Sequence, residues 1–401
     1  MTTTIDVTAI VQKQITELPP LPVVVQKLIS TLDDDRSSAE DVMKVLTSDQ
    51  AMASKVLKLV NSSFYGMPGE ISTPSRAIVI LGFSAVRNLA IGLSAASVLS
   101  GADKNENQRR FWEHSISSAA AAQILARHTK YPDPEEAFIA GLLHDIGQMV
   151  LMIAVPEEYD LVLATGPDNL LENEEKILGM THAKAGQMLL KHWGLPSTLT
   201  DSIRFHHHTK VFCGKASPLT SLIALADAFA QVHGGSYERS MTTKEYLELL
   251  DIAGFDVDDT GELLTELDQR VEETRVFLQI ATDEAVEVSQ AEPAGHKRIV
   301  IISTETVKTT WAREVLTYFG NTVIPMTQFF KGHGEEKDVD VIIVDPDSIT
   351  VEQMQKMKPT LDATGAPIVL VSGENSEQAE LSLGRSLKTI PLAFSRSDFS
   401  L

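Results

Sequence analysis

The stretch Gly141-Leu142-Leu143-His144-Asp145-Ile146-Gly147-Gln148 sets an imidazole and a carboxylate side by side in apolar surroundings. An adjacent His-Asp pair on a helix lets a ring nitrogen and a carboxylate reach one cation from a single turn. Upstream, His114 opens a long alanine-rich segment in Phe-Trp-Glu-His-Ser. Downstream come His182 in Thr-His-Ala-Lys-Ala-Gly, the run His206-His207-His208, and Asp227 in Ile-Ala-Leu-Ala-Asp-Ala-Phe. A carboxylate in such an apolar run asks for a cation or for donors, because an unpaired buried charge is costly. Mixed imidazole and carboxylate ligands suit divalent metals such as Mn, Fe(II), Co or Zn.

Geometry limits the set. Three consecutive helical residues point about 100° apart, so one of the histidine run faces away, and His208 is assigned that role. His128 lies fourteen residues after His114, about four turns along the same helix, too far to share a site. The expectation is that His114, His144, Asp145, His182, His206, His207 and Asp227 converge.

Around this centre the first 290 residues read as helix, with apolar residues three and four apart in Val23–Leu28, Val42–Leu46, Met52–Val60 and Ala85–Leu99. Ser37-x-x-Glu40 has the form of a capping box, and Leu18-Pro19-Pro20-Leu21-Pro22 breaks the chain before a second helix. From Lys244 to Glu292 there are 15 acidic against 3 basic residues in a pattern that stays helical, most simply a solvated helix face. Ser289 to Gly295 reads as a linker. Beyond it the period changes. Apolar runs Arg298–Ser303, Val339–Asp345, Pro367–Val371 and Thr389–Phe394 alternate with helical patterns such as Lys308–Phe319 and Val351–Leu361. That alternation predicts a parallel sheet wound by helices. The expected organisation is an all-α region over 1–235 with its metal-ligand part at about 105–235. An acidic helical segment and linker follow at 236–296, then a small α/β domain at 297–401.

Composition narrows the function. The chain of 401 residues carries 34 basic and 55 acidic residues, a net charge of −21, and 43 % hydrophobic residues. Such acidity repels phosphate backbones and anionic lipid, and no Lys/Arg run offsets it, so neither nucleic acid nor membrane is an expected partner. The one cysteine, Cys213, excludes an intramolecular disulfide and agrees with a reducing compartment. The N-terminus shows no signal-peptide pattern, and no apolar run reaches the roughly 18 residues of a membrane span. A cytoplasmic location is expected.

The pattern His114, His144-Asp145, Asp227 resembles that of the HD superfamily, helical metal-dependent phosphohydrolases. With His182 and the pair His206-His207 it resembles the fuller set of the HD-GYP cyclic-dinucleotide phosphodiesterases, which hold two or three metals. Two departures stand out. Gln148 occupies the place of that family's lysine, and Thr209-Lys-Val-Phe-Cys-Gly214 stands where a Gly-Tyr-Pro segment would follow.

From Leu18 to about Gln231 the chain is similar to the HDOD family, HD-related output domains of bacterial signalling proteins. The marks are Leu18–Pro22, Ser48-Asp-Gln-Ala51, Leu57-x-x-Val60-Asn-Ser-Ser-Phe-Tyr-Gly66 and Ile71-Ser. Ala77-Ile, Leu81-Gly82, Arg87-Asn-Leu89, His182-Ala-Lys-Ala-Gly186 and Trp193-Gly-Leu-Pro196 continue them. Read from the residues alone, Asn61–Gly66 is a capped helix end, Leu81-Gly82 a helix stop, and Trp193–Pro196 a turn that buries an aromatic. A second reading makes Asn61, Tyr65 and Arg87 a recognition surface. The tail resembles a two-component receiver domain in which Asp345, at a strand end, would accept a phosphoryl group. Its first strand runs into Ser303-Thr304-Glu305 rather than a pair of acids, so Mg²⁺ would lose most of its ligands, and Phe394-Ser395-Arg396 lacks that family's lysine.

Together these imply a bacterial signal-transduction protein. Its HDOD module would relay a signal through protein contacts and hold one or two divalent metal ions, Fe or Mn in preference to Zn. The tail would regulate it or form a homodimer, and partners would belong to a two-component or cyclic-dinucleotide pathway. The alternative is a metal-dependent phosphohydrolase acting on a nucleotide or cyclic dinucleotide, with His144 and Asp145 at the reacting centre.

Overall fold

The computed structural model describes residues 6–31, 38–99, 106–165, 170–208, 217–234, 243–282, 296–331, 338–371, 375–383 and 387–390. Ser37, Cys213, the Thr209–Gly214 segment, the Ser289–Gly295 linker and Phe394-Ser395-Arg396 lie outside these residues. The chain divides into two compact units. The first comprises Met1–Ala230, Ser236–Ser240 and Leu267–Ser289, and the second Gln231–Gly235, Met241–Glu266 and Gln290–Leu401. The acidic segment is therefore shared between them, its helix Thr260–Thr282 contributing to both.

The first unit is all helix among its described residues. In chain order the helices are α1 (Val7–Glu17), α2 (Val23–Ser30), α3 (Ala39–Thr47), α4 (Gln50–Val60), α5 (Pro74–Leu81), α6 (Phe83–Leu99) and α7 (Glu106–His128). They continue with α8 (Pro134–Leu143), α9 (Ile146–Ala154), α10 (Pro156–Leu163), α11 (Leu170–Leu178), α12 (His182–His192), α13 (Ser197–Phe205) and α14 (Pro218–Gly234), whose residues from Gln231 on belong to the second unit. Local chemistry sets the boundaries. The α3 capping box is Ser38 with Asp41, one residue later than the sequence pattern suggested, and Asp49, Thr73, Asp133 and Thr181 cap α4, α5, α8 and α12. Gly82, at φ 88°, takes a backbone form that L side chains rarely adopt, and α5 and α6 meet there at a bend of 114°.

Asn61 ends α4 and clamps the following loop. Its Nδ2 donates to the Ile71 carbonyl (2.8 Å) and its Oδ1 accepts from the Ile71 N–H (2.7 Å). Tyr65 is half-buried with its hydroxyl enclosed, so neither residue offers a free polar surface. Small residues draw the inner helices together. A Cβ on Gly141 of α8 would sit 2.7 Å from the Ser118 carbonyl oxygen of α7, and one on Gly92 of α6 would meet Ile139 at 2.4 Å. The stretch Pro134–Ala154, mean hydropathy 1.7, is long and apolar enough to match a membrane span, unlike the expectation from sequence. It is 83 % buried, as a central core element is.

In the second unit, α15 (Thr243–Ala253) precedes the shared helix α16 (Thr260–Thr282), and a five-stranded sheet follows. Its strands are β1 (Arg298–Ile302), β2 (Thr322–Ile324), β3 (Val341–Val344), β4 (Ile368–Val371) and β5 (Lys388–Ile390). All pairings are parallel, in the order β2-β1-β3-β4-β5, one of the two common doubly wound orders. The crossovers carry α17 (Thr306–Tyr318), α18 (Met326–Lys331), α19 (Val351–Thr364) and α20 (Ser376–Leu383). One core cluster gathers Val300, Ile302, Ile342, Val344, Leu370 and Phe329.

Candidate metal centre

The structure brings all seven singled-out side chains together, from five places in the first unit. His114 comes from α7, His144 and Asp145 from the α8–α9 junction, His182 from the first turn of α12, His206 and His207 from the end of α13, and Asp227 from α14. His128 and His208 are exposed, away from the group. The His-Asp pair does not lie within a helix as expected from sequence. His144 caps α8, and Asp145, at φ −100° and ψ 10°, breaks the chain before α9.

The donors form two groups. His114, His144 and Asp227 make one, with His114 Nε2 at 3.0 Å from Asp227 Oδ1 and 3.2 Å from His144 Nε2. Asp145, His182, His206 and His207 make the other, with His182 Nε2 at 3.0 Å from His207 Nε2. Asp145 joins them. Its Oδ1 lies 3.2 Å from His182 Nε2 and 3.3 Å from His206 Nε2, and its Oδ2 lies 3.4 Å from His144 Nε2.

The far side of each ring explains why a cation fits. His144 Nδ1 donates to the Gly141 carbonyl (2.8 Å), His206 Nδ1 to the Ile203 carbonyl (2.7 Å), and His182 Nδ1 to Glu174 (2.9 Å). In its neutral form, with the proton on Nδ1, each ring turns an Nε2 lone pair inward. Lone pairs then face lone pairs and a carboxylate at 3.0–3.3 Å, and among the described residues Asp145 Oδ1 and His206 Nε2 have no hydrogen-bond partner. Buried acceptors so arranged require a proton or a metal ion between them.

Titration behaviour follows. Burial disfavours the His182 imidazolium, but the Glu174 and Asp145 carboxylates outweigh it and hold the group well above its usual pKa. His144 is raised in the same way, against burial, by Asp145 and Asp227. Burial drives His207 well below its usual value, and the neighbouring histidines add to this. Burial raises Asp145, yet His144 and His182 hold its carboxyl well below the usual range.

Two neighbours steady these donors, and the first was not evident from sequence. Glu174, fully buried on α11, accepts from the His182 backbone N–H (2.8 Å) as well as from its ring, and from the Tyr159 hydroxyl (3.0 Å). It fixes the ring through its rear nitrogen, a familiar device at metal sites. Gln148 donates through Nε2 to Asp145 Oδ2 (2.8 Å), so the amide steadies the carboxylate shared by both groups.

The model of the HDOD domain matches residues 18–209. This segment is an HDOD domain. A solved HDOD domain protein of unknown function from Geobacter sulfurreducens has the same fold, with a TM-score of 0.55 at 22 % identity over 68 % of this chain and 97 % of that one. An inferred phosphohydrolase from Shewanella amazonensis gives a TM-score of 0.52 at 26 % identity, over 67 % of this chain and 98 % of that one. A cyclic di-GMP phosphodiesterase of Pseudomonas aeruginosa is 32 % identical over 127 residues, 30 % of this chain and 28 % of that protein. The chain spans about a third of the length of the curated relatives it matches.

In the second unit, Asp345 follows β3 at the carboxyl edge of the sheet and is buried. Its Oδ2 accepts from the Ser303 hydroxyl (2.9 Å), and its Oδ1 pairs with the buried Lys308 ammonium (3.2 Å). Glu305 Oε2 lies 3.3 Å from the same ammonium.

Proposed function

We propose that this protein is a bacterial signal-relay protein whose HDOD domain holds one or two divalent cations, Fe or Mn in preference to Zn. In this reading the bound metal fastens the ends of five helical segments, and the signal passes through protein contacts. The observation that carries it is the inward set of Nε2 lone pairs around Asp145, with His144, His182 and His206 locked from behind. His114, His207 and Asp227 complete the donor set. The domain family supports the signalling role. Elemental analysis of protein purified without a histidine tag tests it, and a metal-free protein that binds none of these ions on addition rules it out.

A second reading, metal-dependent hydrolysis of a nucleotide or cyclic dinucleotide, is favoured by the two donor groups bridged by one carboxylate and by the named activity of the Pseudomonas relative. When bound, metals would supply a low-pKa water and charge neutralisation at phosphorus. This chain's residues would orient that site through Asp145 and Glu174. Gln148 speaks against it, since a neutral amide brings no charge to a phosphate and is already engaged with Asp145.

The tail is read as a receiver-like module that no longer accepts a phosphoryl group. The strand order and Asp345 at the end of β3 support the likeness. Lys308 supports the loss, because its ammonium holds the place at the carboxylate where a cation would sit. Contacts with other signalling proteins or a second copy of the chain belong to the same proposal.

A further inference from the structure

Arg87, on α6, is 7 % exposed, yet among the described residues its guanidinium bonds only to its neighbour, donating through Nε (3.2 Å) and Nη2 (3.0 Å) to Asn88 Oδ1. No carboxylate among the described residues pairs with it. The nearby acids are otherwise engaged. Glu136 accepts from the Tyr131 hydroxyl (2.7 Å) and from the Thr198 hydroxyl (3.3 Å), while Asp133 caps α8 and accepts from Asn88 Nδ2 (3.5 Å). Burial lowers the pKa of Arg87, and Asp133 and Glu136 restore part of it from a distance. A buried charge without a paired counter-ion is an expense that folding alone does not explain.

The guanidinium lines a cavity of about 210 Å³ between the Arg87–Ile91 segment of α6, Glu136 of α8 and the Pro196–Leu199 entry to α13. Its walls mix the apolar Ile91, Pro196 and Leu199 with Arg87, Asn88, Thr198 and the acidic Glu136. None of these residues belongs to the histidine–aspartate cluster. An arginine fork presents two parallel N–H groups that match a planar carboxylate. Asp133 and Glu136 set the charge limit, since each negative charge on a ligand meets their repulsion and one guanidinium offsets only one such charge.

We propose that this cavity is a binding site for a small monoanionic carboxylate, held by Arg87 between the apolar walls. It is a ligand site of the HDOD domain separate from the candidate metal centre, and it stands whether or not a metal is bound.

The test follows the melting temperature of the full-length protein in sodium acetate, sodium chloride and inorganic phosphate at matched ionic strength. Acetate should stabilise the wild type saturably beyond chloride and more than phosphate. Arg87→Gln should weaken acetate binding about tenfold or more, the worth of a charge-assisted bond. The ligand-free Arg87→Gln protein should melt no lower than wild type, since a buried unpaired charge is removed; a purely structural arginine would lower it. Thr198→Trp blocks the mouth from an exposed position, keeps Arg87, and should also abolish the acetate effect, which decides the matter if Arg87→Gln fails to fold. The proposal is overturned by an absent acetate effect in wild type, by one that survives in either variant, or by phosphate stabilising as much as acetate.

Discussion

Gly147 of α9 lies so close to the start of α12 that a Cβ placed on it would sit 1.8 Å from the His182 carbonyl oxygen and 2.5 Å from the Gly186 N–H nitrogen. This approach, glycine against glycine, lets Asp145 and His182 come within 3.2 Å. Gly147→Ala must push α9 and α12 apart. The cost should reach or exceed the upper end of the ~1–3 kcal/mol typical of overpacking, a fall in melting temperature of about 6–12 °C. Metal affinity should fall with it, and a variant with unchanged melting and metal binding would show that the helices are not held as described.

Glu174 gives a milder, more local prediction. Glu174→Gln keeps the shape but removes the charge behind His182, and can offer Nδ1 only one acceptor oxygen. The domain should remain folded, and metal affinity should drop by roughly 10- to 100-fold, as expected for loss of a partner behind a metal-ligating histidine. Competition with a chromogenic chelator measures it; an affinity equal to wild type removes the positioning role.

Metal uptake should release protons and tighten with rising pH. The sign follows from His182. Its pKa is held well above the usual 6.5, so the metal-free ring keeps its proton at neutral pH, and an incoming cation must displace it. Calorimetry in buffers of different ionisation enthalpy reads the proton count directly. Affinity that is flat between pH 6 and 8 would mean that the ring is not displaced from its imidazolium form.

Much of this was legible in the chain. Helices followed the three- and four-residue spacing, and the change to β-branched runs after residue 297 announced the sheet. The seven donors stood out as histidines and aspartates set in apolar helical runs, in an arrangement that resembles a metal-ligand pattern. What escaped was set by tertiary contacts. The three-residue strand β2, with Thr322 exposed, lacks the apolar run that marks its neighbours. Glu174 sits in Glu-Asn-Glu-Glu-Lys, where nothing distinguishes it from acids that face solvent. The break at Asp145 and the close approach of Gly147 to α12 leave no mark in the periodicity. Lys308 looks like one more surface lysine until Asp345 meets it across the sheet edge.

That pair makes a prediction for the tail. With Ser303 on one carboxylate oxygen and Lys308 on the other, Asp345 has little room for Mg²⁺ or an incoming phosphoryl group. Incubation with acetyl phosphate and Mg²⁺ should leave Asp345 unmodified by intact-mass measurement. Lys308→Ala strands a buried carboxylate and should destabilise the second unit by about 3–5 kcal/mol, the range for breaking a buried pair. An aspartyl phosphate on the wild type would make the tail a working input domain.

Asp145 separates a metal staple from a catalytic metal, because it is the residue shared by both donor groups. Asp145→Ala is compared with wild type for melting temperature and for hydrolysis of a phosphodiester panel that includes cyclic dinucleotides. A metal bound only to the native state adds about 2.7 kcal/mol when free metal stands a hundredfold above its dissociation constant. That corresponds to about 5–11 °C for a domain of this size. Under the signal-relay reading the variant loses that increment, a chelator produces the same loss in wild type and none in the variant, and neither protein hydrolyses the panel. A catalytic site would behave differently: the wild type would turn over a substrate with metal and the variant would not. Its stability could then fall less, because open coordination positions bind water instead of clamping helices. The buried donors, with Gln148 engaged on the shared carboxylate, lead us to expect the first outcome. Wild-type turnover abolished by a chelator would overturn the relay-only reading and establish the hydrolase.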